Sequence, residues 1–148
     1  MRNNSVPWLW TLTALFAVRV SGQALQYWAP LPFLPAFDEF QGSRLPYGIL
    51  LVTQLLILGL MARTTWRIQF RRLTPRNSTG RLLWWAGWVY LAGSVARLAA
   101  GLAMPGAHPW FRAWIPAVFH LVLAGFVLLV ACHHLRASPP AGKQMGST

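Results

Sequence analysis

The sequence predicts an all-α membrane protein, a bundle of four transmembrane helices with both termini on the cytoplasmic side. Three observations carry this reading. Hydrophobic residues make up 55% of the chain and charged ones only 10%, where soluble domains carry roughly 25% charge. Four apolar stretches, at about 7–28, 46–62, 82–104 and 113–135, approach the roughly 20 residues that a helix needs to cross a bilayer. The 13 basic residues, set against two acids for a net charge of +11, fall mostly between and beyond those stretches. A nucleic-acid binder would not interrupt its cations with apolar runs of this length, and a disordered chain would lack the Leu, Val and Trp. No stretch alternates with the period of a strand.

The first segment runs from Pro7 to Trp28, with Trp8 and Trp10 at one end and Trp28 at the other. Trp8 to Trp28 spans roughly 30 Å of helix, one hydrocarbon thickness. Arg2, the apolar run 6–18 and the small residues Ser21, Gly22 and Ala24 also suit a cleaved signal peptide. Arg19 directly after the run and the flanking tryptophans favour a retained span. Next comes 29–45, where Pro30, Pro32 and Pro35 alternate with Phe33, Phe37 and Phe40. Proline at this density opposes a helix, so a Pro-rich outer interfacial loop is expected, presenting Asp38 and Glu39.

The second segment is the shortest and should stand nearly upright. The link after it, 63–81, holds Arg63, Arg67, Arg71, Arg72, Arg76 and Arg81 with no acid, so the positive-inside rule makes it cytoplasmic. Its arginines and interleaved aromatics suit anionic lipid head groups or an acidic partner. Arg2, Arg136 and Lys143 then agree with both termini inside. Trp66, Trp84 and Trp85 form an inner aromatic belt, and Trp110 and Trp114 join Trp28 in an outer one. Residues 1–136 form one domain; 137–148, rich in Ser, Pro and Gly, is expected to be a flexible cytoplasmic tail. Arginine supplies all the basic residues but Lys143. That bias fits a GC-rich bacterial genome, and the expected location is a bacterial inner membrane.

Polar residues inside the membrane are where function is sought, since each costs free energy that a partner must offset. Counting at 1.5 Å per residue, Arg19, Gln54, Arg97 and His120 lie about 10–13 Å below the outer surface, one on each helix. Faces agree with this layer. Arg19, Gln23 and Gln26 share a stripe on the first helix; Tyr47 and Gln54 share one on the second; Tyr90, Ser94, Arg97 and Gly101 share one on the third. Ala117, Ala124 and Ala131 flank His120 with small residues that let helices approach closely, and Ala92, Ala96 and Ala100 offer a second such seam.

This Arg/Gln/His layer has two readings. It is helix–helix glue, each pair worth about 0.6 kcal/mol, or it binds a ligand through Arg19, Gln23, Gln54, Tyr90, Ser94, Arg97 and His120. Guanidinium groups suit carboxylates, phosphates and carbonyls, which points to a lipid head group, haem propionates, another pigment or a quinone. Asp38 and Glu39 either neutralise Arg44 and Arg112, reach down to Arg19 and Arg97, or hold a divalent cation with His108. His120 is the one intramembrane candidate for a haem ligand, its second ligand coming from another copy or a partner. His133 and His134 beside Arg136 belong to the inner interface. The single cysteine, Cys132, excludes an internal disulfide and thiolate zinc, and no nucleotide, hydrolase or metalloprotease motif occurs.

The expected function is a non-catalytic accessory or anchoring subunit of a larger membrane complex, in contact with membrane lipids and with other subunits or its own copies, and not with nucleic acid. The alternatives are a quinone- or haem-binding redox protein using His120, and a homo-oligomeric small-anion transporter drawing on Arg19 and Arg97.

Overall fold

A computed structural model describes residues 5–35, 37–40, 45–103 and 114–137, and among these the chain is helical with no strand. The elements in chain order are α1 (Ser5–Trp28), the single turn α2 (Phe37–Phe40), α3 (Tyr47–Gln69), α4 (Asn77–Ala103) and α5 (Trp114–Ala137). Arg44, His108, Arg112, the tail beyond Ala137 and the side chains of Asp38 and Glu39 lie outside the described residues. Pro7 and Pro116 fall in the first turns of α1 and α5, where a missing N–H breaks no helical bond. Pro30 stands just beyond the end of α1, whose last stretch is closed by Ala29 N–H donating to Leu25 O (2.7 Å).

By length and composition α3, α4 and α5 can each cross a membrane. Helix α1 is as long, but Thr11, Thr13, Arg19, Ser21, Gln23 and Gln26 lower its hydropathy, and it is not among these candidates. The exposed faces suit lipid: Leu56, Leu60, Leu82, Val89 and Leu102 are all more than 60% exposed. Contiguous apolar surface of this kind is uncommon on a soluble monomer.

Helix α3 runs seven residues past the apolar stretch 46–62. Arg63 and Arg67 interrupt the hydropathy without interrupting the helix, because arginine is a good helix former whose long stem lets its head reach water. The helix stops at a Schellman turn. Arg71 N–H donates to Ile68 O (3.2 Å) and Arg72 N–H to Arg67 O (2.8 Å). Arg71 takes the left-handed position at φ 53°, usually glycine's, and Thr74-Pro75 follows. Helix α4 starts at Asn77, five residues earlier than the apolar run. The six-arginine link is therefore mostly helix, with only 70–76 between α3 and α4, and all six arginines are exposed. The Trp66 and Phe70 rings meet at a tilt of 56° (4.9 Å), and Trp66 lies under the Arg72 guanidinium (5.0 Å).

The long helices pack in the order α3, α1, α5, α4, a curved row in which α1 and α5 are central and α3 and α4 are the ends. No interface of comparable extent joins α3 to α4, so the row is open on one side. Its core lies between α1, α3 and α5: Leu9, Phe16 and Val20 meet Met61, Ile68, Phe126 and Val130. Trp10 Nε1–H donates to Gln69 Oε1 (2.7 Å) and ties the far ends of α1 and α3. At the opposite end Tyr27 stacks on Tyr47 (4.3 Å), with Phe37 5.2 Å from Tyr47.

Small residues set the closest approach, as expected for helices in lipid. Ala117, Ala124 and Ala131 are completely buried in α5. On α4 the seam is Gly80, Gly87 and Ser94, whereas Ala92 and Ala96 are exposed and Ala100 half-buried. The alanine stripe lies roughly 200° around the helix from Ser94; its spacing is right but its face is the outer one. Beyond Gly80, the first turn of α4 is anchored by His134 of α5, whose Nδ1 accepts the Arg76 N–H (3.1 Å). That histidine, expected at the inner interface, is buried as a helix-end partner.

A Cβ on Gly87 would stand 2.7 Å from Leu128 Cδ2 and 2.9 Å from its Cγ, while one on Gly93 meets nothing within 4 Å. Gly87→Leu is expected to lower thermal stability in detergent by about 1–3 kcal/mol, the usual range for overpacking. Gly93→Leu should leave it within about 0.5 kcal/mol; equal effects would contradict this α4–α5 seam.

Candidate functional site

Gln23 sits at the centre of the α1 stripe and is 0% exposed. Its Oε1 accepts two hydrogen bonds, from Arg19 Nη1 (3.1 Å) one turn earlier and from Gln54 Nε2 of α3 (3.0 Å). The i, i+4 spacing on α1 aligns the first donor, and the Tyr47, Gln54, Met61, Ile68 face of α3 delivers the second. Arg19, 8% exposed, gives a further bond from Nη2 to Phe40 O of α2 (3.1 Å), and its guanidinium lies 5.6 Å from the Phe119 ring of α5. One side chain thus touches α1, α2 and α5, and through Gln23 is coupled to α3.

The energies nearly balance. A central arginine costs about 2.5–3.5 kcal/mol to place in a membrane, and hydrogen bonds to charged groups return about 1.5–3 kcal/mol each. Arg19 is therefore held by neutral groups: an amide oxygen, a backbone carbonyl and an aromatic face. Among the described residues these occupy donors on Nη1 and Nη2. Three buried atoms of the network have no hydrogen-bond partner among the described residues: Arg19 Nε, Gln23 Nε2 and Gln54 Oε1.

Beside this network lies a cavity of about 340 Å³, within the range of small-ligand sites. Arg19, Gln54, Arg97 and His120, one from each long helix, all line it. Its apolar wall includes Phe16 of α1, Leu50 and Ile57 of α3, and Phe119 and Leu123 of α5; Phe40 of α2 also borders it. It occupies the open side of the row, between α3 and the α4–α5 pair. The described lining carries two guanidinium groups and no carboxylate.

The remaining candidates divide. Tyr90 OH and His120 Nδ1 are hydrogen-bonded (2.5 Å), the rings meeting edge to face at 5.7 Å. This leaves Nε2 as the His120 nitrogen for a further partner. Ser94 is buried but its hydroxyl donates to Tyr90 O (2.8 Å), so it serves its own helix. Gln26 Oε1 accepts the Leu31 N–H (3.0 Å) and shapes the turn after α1. Gln23 stands behind the cavity rather than on it, and Tyr90 reaches it only through His120.

The Phe40 carbonyl and the Phe119 ring were not foreseeable. A backbone acceptor leaves no mark in residue type, and Phe119 reads as one more apolar position next to His120. No group of three His, Cys, Asp or Glu side chains suited to a metal occurs among the described residues. The grouping of Asp38 and Glu39 with His108 lies outside them.

Since Gln23 serves two donors and Gln54 only one bond of this network, Gln23→Leu should be the more damaging change. The expected loss is about 1.5–3 kcal/mol, against about 0.6 kcal/mol for Gln54→Leu, read from thermal unfolding in a mild detergent. The reverse order would contradict the network. No protein-family model, curated protein or solved structure matches this chain.

Proposed function

We propose that this chain is a four-span membrane protein with both termini on the cytoplasmic side of a bacterial inner membrane, and that it acts as a non-catalytic accessory or anchoring subunit whose polar cavity holds an amphiphile. The observation that carries the reading is the meeting of Arg19, Gln54, Arg97 and His120 around one cavity with apolar walls. A polar head at that layer and an apolar body along α3 and α5 match the lining.

Orientation rests on charge. Arg63, Arg67, Arg71, Arg72, Arg76 and Arg81 gather at the α3–α4 end, which the positive-inside rule makes cytoplasmic. The Tyr27, Trp28, Phe37 and Tyr47 rings gather at the other end, as an outer aromatic anchor. Helix α1 crosses with its polar stripe turned toward α3 and α5. A catalytic role is disfavoured because the long helices contain no acid and hence no evident proton relay.

A second reading, a quinone- or haem-dependent redox protein, draws on the Tyr90–His120 pair beside the cavity. A hydrogen-bonded imidazole can partner a quinone carbonyl or ligate haem iron.

Two measurements check the proposal. A fluorescent-protein fusion at the C-terminus should fluoresce, and an alkaline phosphatase fusion near Phe40 should be active; the reverse pattern contradicts the topology. Mild solubilisation from native membranes should yield the chain with partner subunits in fixed ratio, a bound amphiphile and no Soret band. A Soret band abolished by His120→Ala would favour the redox reading. A lone oligomer with anion flux sensitive to Arg97→Gln would replace the accessory role with transport.

A further inference from the structure

At the arginine-rich end of the bundle, cations and aromatic rings share one face of α3. Arg63, Trp66 and Arg67, with Phe70 at the helix cap, stand at i, i+3, i+4 and i+7, and all four are exposed. The buried residues of this stretch, Met61, Thr65 and Ile68, lie on the opposite side of the helix. The turn after α3 adds a third cation. Arg72 N–H donates to Arg67 O (2.8 Å) as the chain reverses, and the Arg72 guanidinium comes over the Trp66 ring (5.0 Å). A guanidinium on an aromatic face keeps its charge and its outer N–H donors.

The whole chain has two acidic side chains, Asp38 and Glu39, and both belong to the α2 turn. Phe37 of that turn lies 5.2 Å from Tyr47, the first residue of α3. Arg63 stands about 24 Å further along the helix axis, and Arg67 and Arg72 stand further still. That separation is about three Debye lengths at physiological ionic strength. No Asp or Glu of this chain reaches the cluster, so a side chain cannot supply its counter-charge from within.

Beyond the cations the same face turns aliphatic. Leu60, Gly59, Leu56 and Val52 follow toward the middle of α3, all exposed. A Cβ added at Gly59 would meet nothing within 4 Å, so glycine leaves a shallow notch one turn from Arg63. Cations, then an aromatic ring, then an aliphatic stretch repeat the order of a phospholipid: phosphate, glycerol ester, acyl chain. The Trp10–Gln69 hydrogen bond (2.7 Å) sets this end of α3 beside the first tryptophans of α1, the level at which such rings meet head groups. An acidic protein segment would neutralise the arginines but leave the aliphatic part uncovered. We infer that this face of α3 holds one anionic phospholipid of the inner leaflet, its phosphate among Arg63, Arg67 and Arg72, its glycerol region against Trp66 and an acyl chain along Gly59 and Leu56. The site rests on the orientation proposed above and is separate from the cavity.

The test is native mass spectrometry on delipidated full-length protein in a nonionic detergent, titrated separately with dioleoyl phosphatidylglycerol and dioleoyl phosphatidylcholine. The first phosphatidylglycerol bound should be held at least about tenfold tighter than phosphatidylcholine. Arg67→Gln and Arg72→Gln should each weaken it by about fivefold. Arg81→Gln, which removes the same charge from the exposed start of α4, should change it by less than about twofold. Gly59→Leu fills the notch without touching charge; it should weaken both lipids alike and leave thermal stability unchanged.

Equal retention of the two phospholipids, or an Arg81→Gln loss as large as those of Arg67→Gln and Arg72→Gln, would overturn the proposal. Full release of phosphatidylglycerol by an equimolar polyglutamate peptide would overturn it in favour of an acidic protein segment. Losses in the arginine variants with Gly59→Leu unaffected would replace a seated lipid with diffuse charge attraction. Absence of selectivity, with the fusion proteins reporting the expected topology, defeats this site alone. Selectivity with the fusion pattern reversed defeats the inner-leaflet placement together with the orientation. Should an arginine variant fail to fold, the wild-type selectivity and the Gly59→Leu result decide the matter alone.

Discussion

A single amide oxygen, Gln23 Oε1, joins Arg19 and Gln54, two members of the polar layer. It receives Arg19 from its own helix and Gln54 from α3, and Arg19 in turn holds the Phe40 carbonyl and faces Phe119. In a bundle surrounded by lipid, apolar contact alone does little to choose partners, because acyl chains compete with leucine on equal terms. Polar bonds and close small-residue packing decide the arrangement instead. The Gln23 network ties α1 to α2 and α3, while the Gly80, Gly87 and Ser94 seam against α5 fixes the other end of the row.

An open row of helices follows from this division. Had α3 carried a small-residue face like that of α5, the ends could have closed on each other. Instead the buried face of α3 is Tyr47, Gln54, Met61, Thr65 and Ile68, directed at α1, and its remaining surface is large and aliphatic. Such a surface is as comfortable against lipid as against α4. The space left between them is lined with arginine, so the fold retains two charges where hydrocarbon would be cheaper. Internal hydrogen bonds to Gln23 and the Phe40 carbonyl account for placing Arg19 there.

Much of this was legible in the residues, for reasons that separate along physical lines. The i, i+4, i+7 stripe of Arg19, Gln23 and Gln26 correctly marked the buried face of α1, because a polar residue in a membrane helix has strong reason to turn inward. Ala117, Ala124 and Ala131, read as a close-packing face around His120, are fully buried. Counting depth along four segments placed Arg19, Gln54, Arg97 and His120 at one level, and the structure brings all four to one cavity. Other features left no such mark. Ala92, Ala96 and Ala100 have the spacing of a seam but face outward, since alanine is acceptable to lipid as well as to a neighbouring helix. The extension of α3 through Arg63 and Arg67 was hidden because hydropathy reports the apolar slab, whereas the helix continues until the turn at Arg71 and Pro75 ends it. Helix order, with α1 and α5 central, depends on which faces meet, and an apolar surface does not announce its neighbour. The Phe40 carbonyl is a backbone group and could not be seen in residue types at all.

The central claim is that the side of the row between α3 and α4 is an occupied ligand cavity and not a packing defect. The most direct measurement is an experimental structure of the full chain in nanodiscs made from native-membrane lipid. The account predicts elongated density in the cavity, its head at the layer of Arg19, Gln54 and His120 and its body along Phe16, Ile57 and Leu123. Helix α3 packed directly against α4, with the cavity closed, would contradict it.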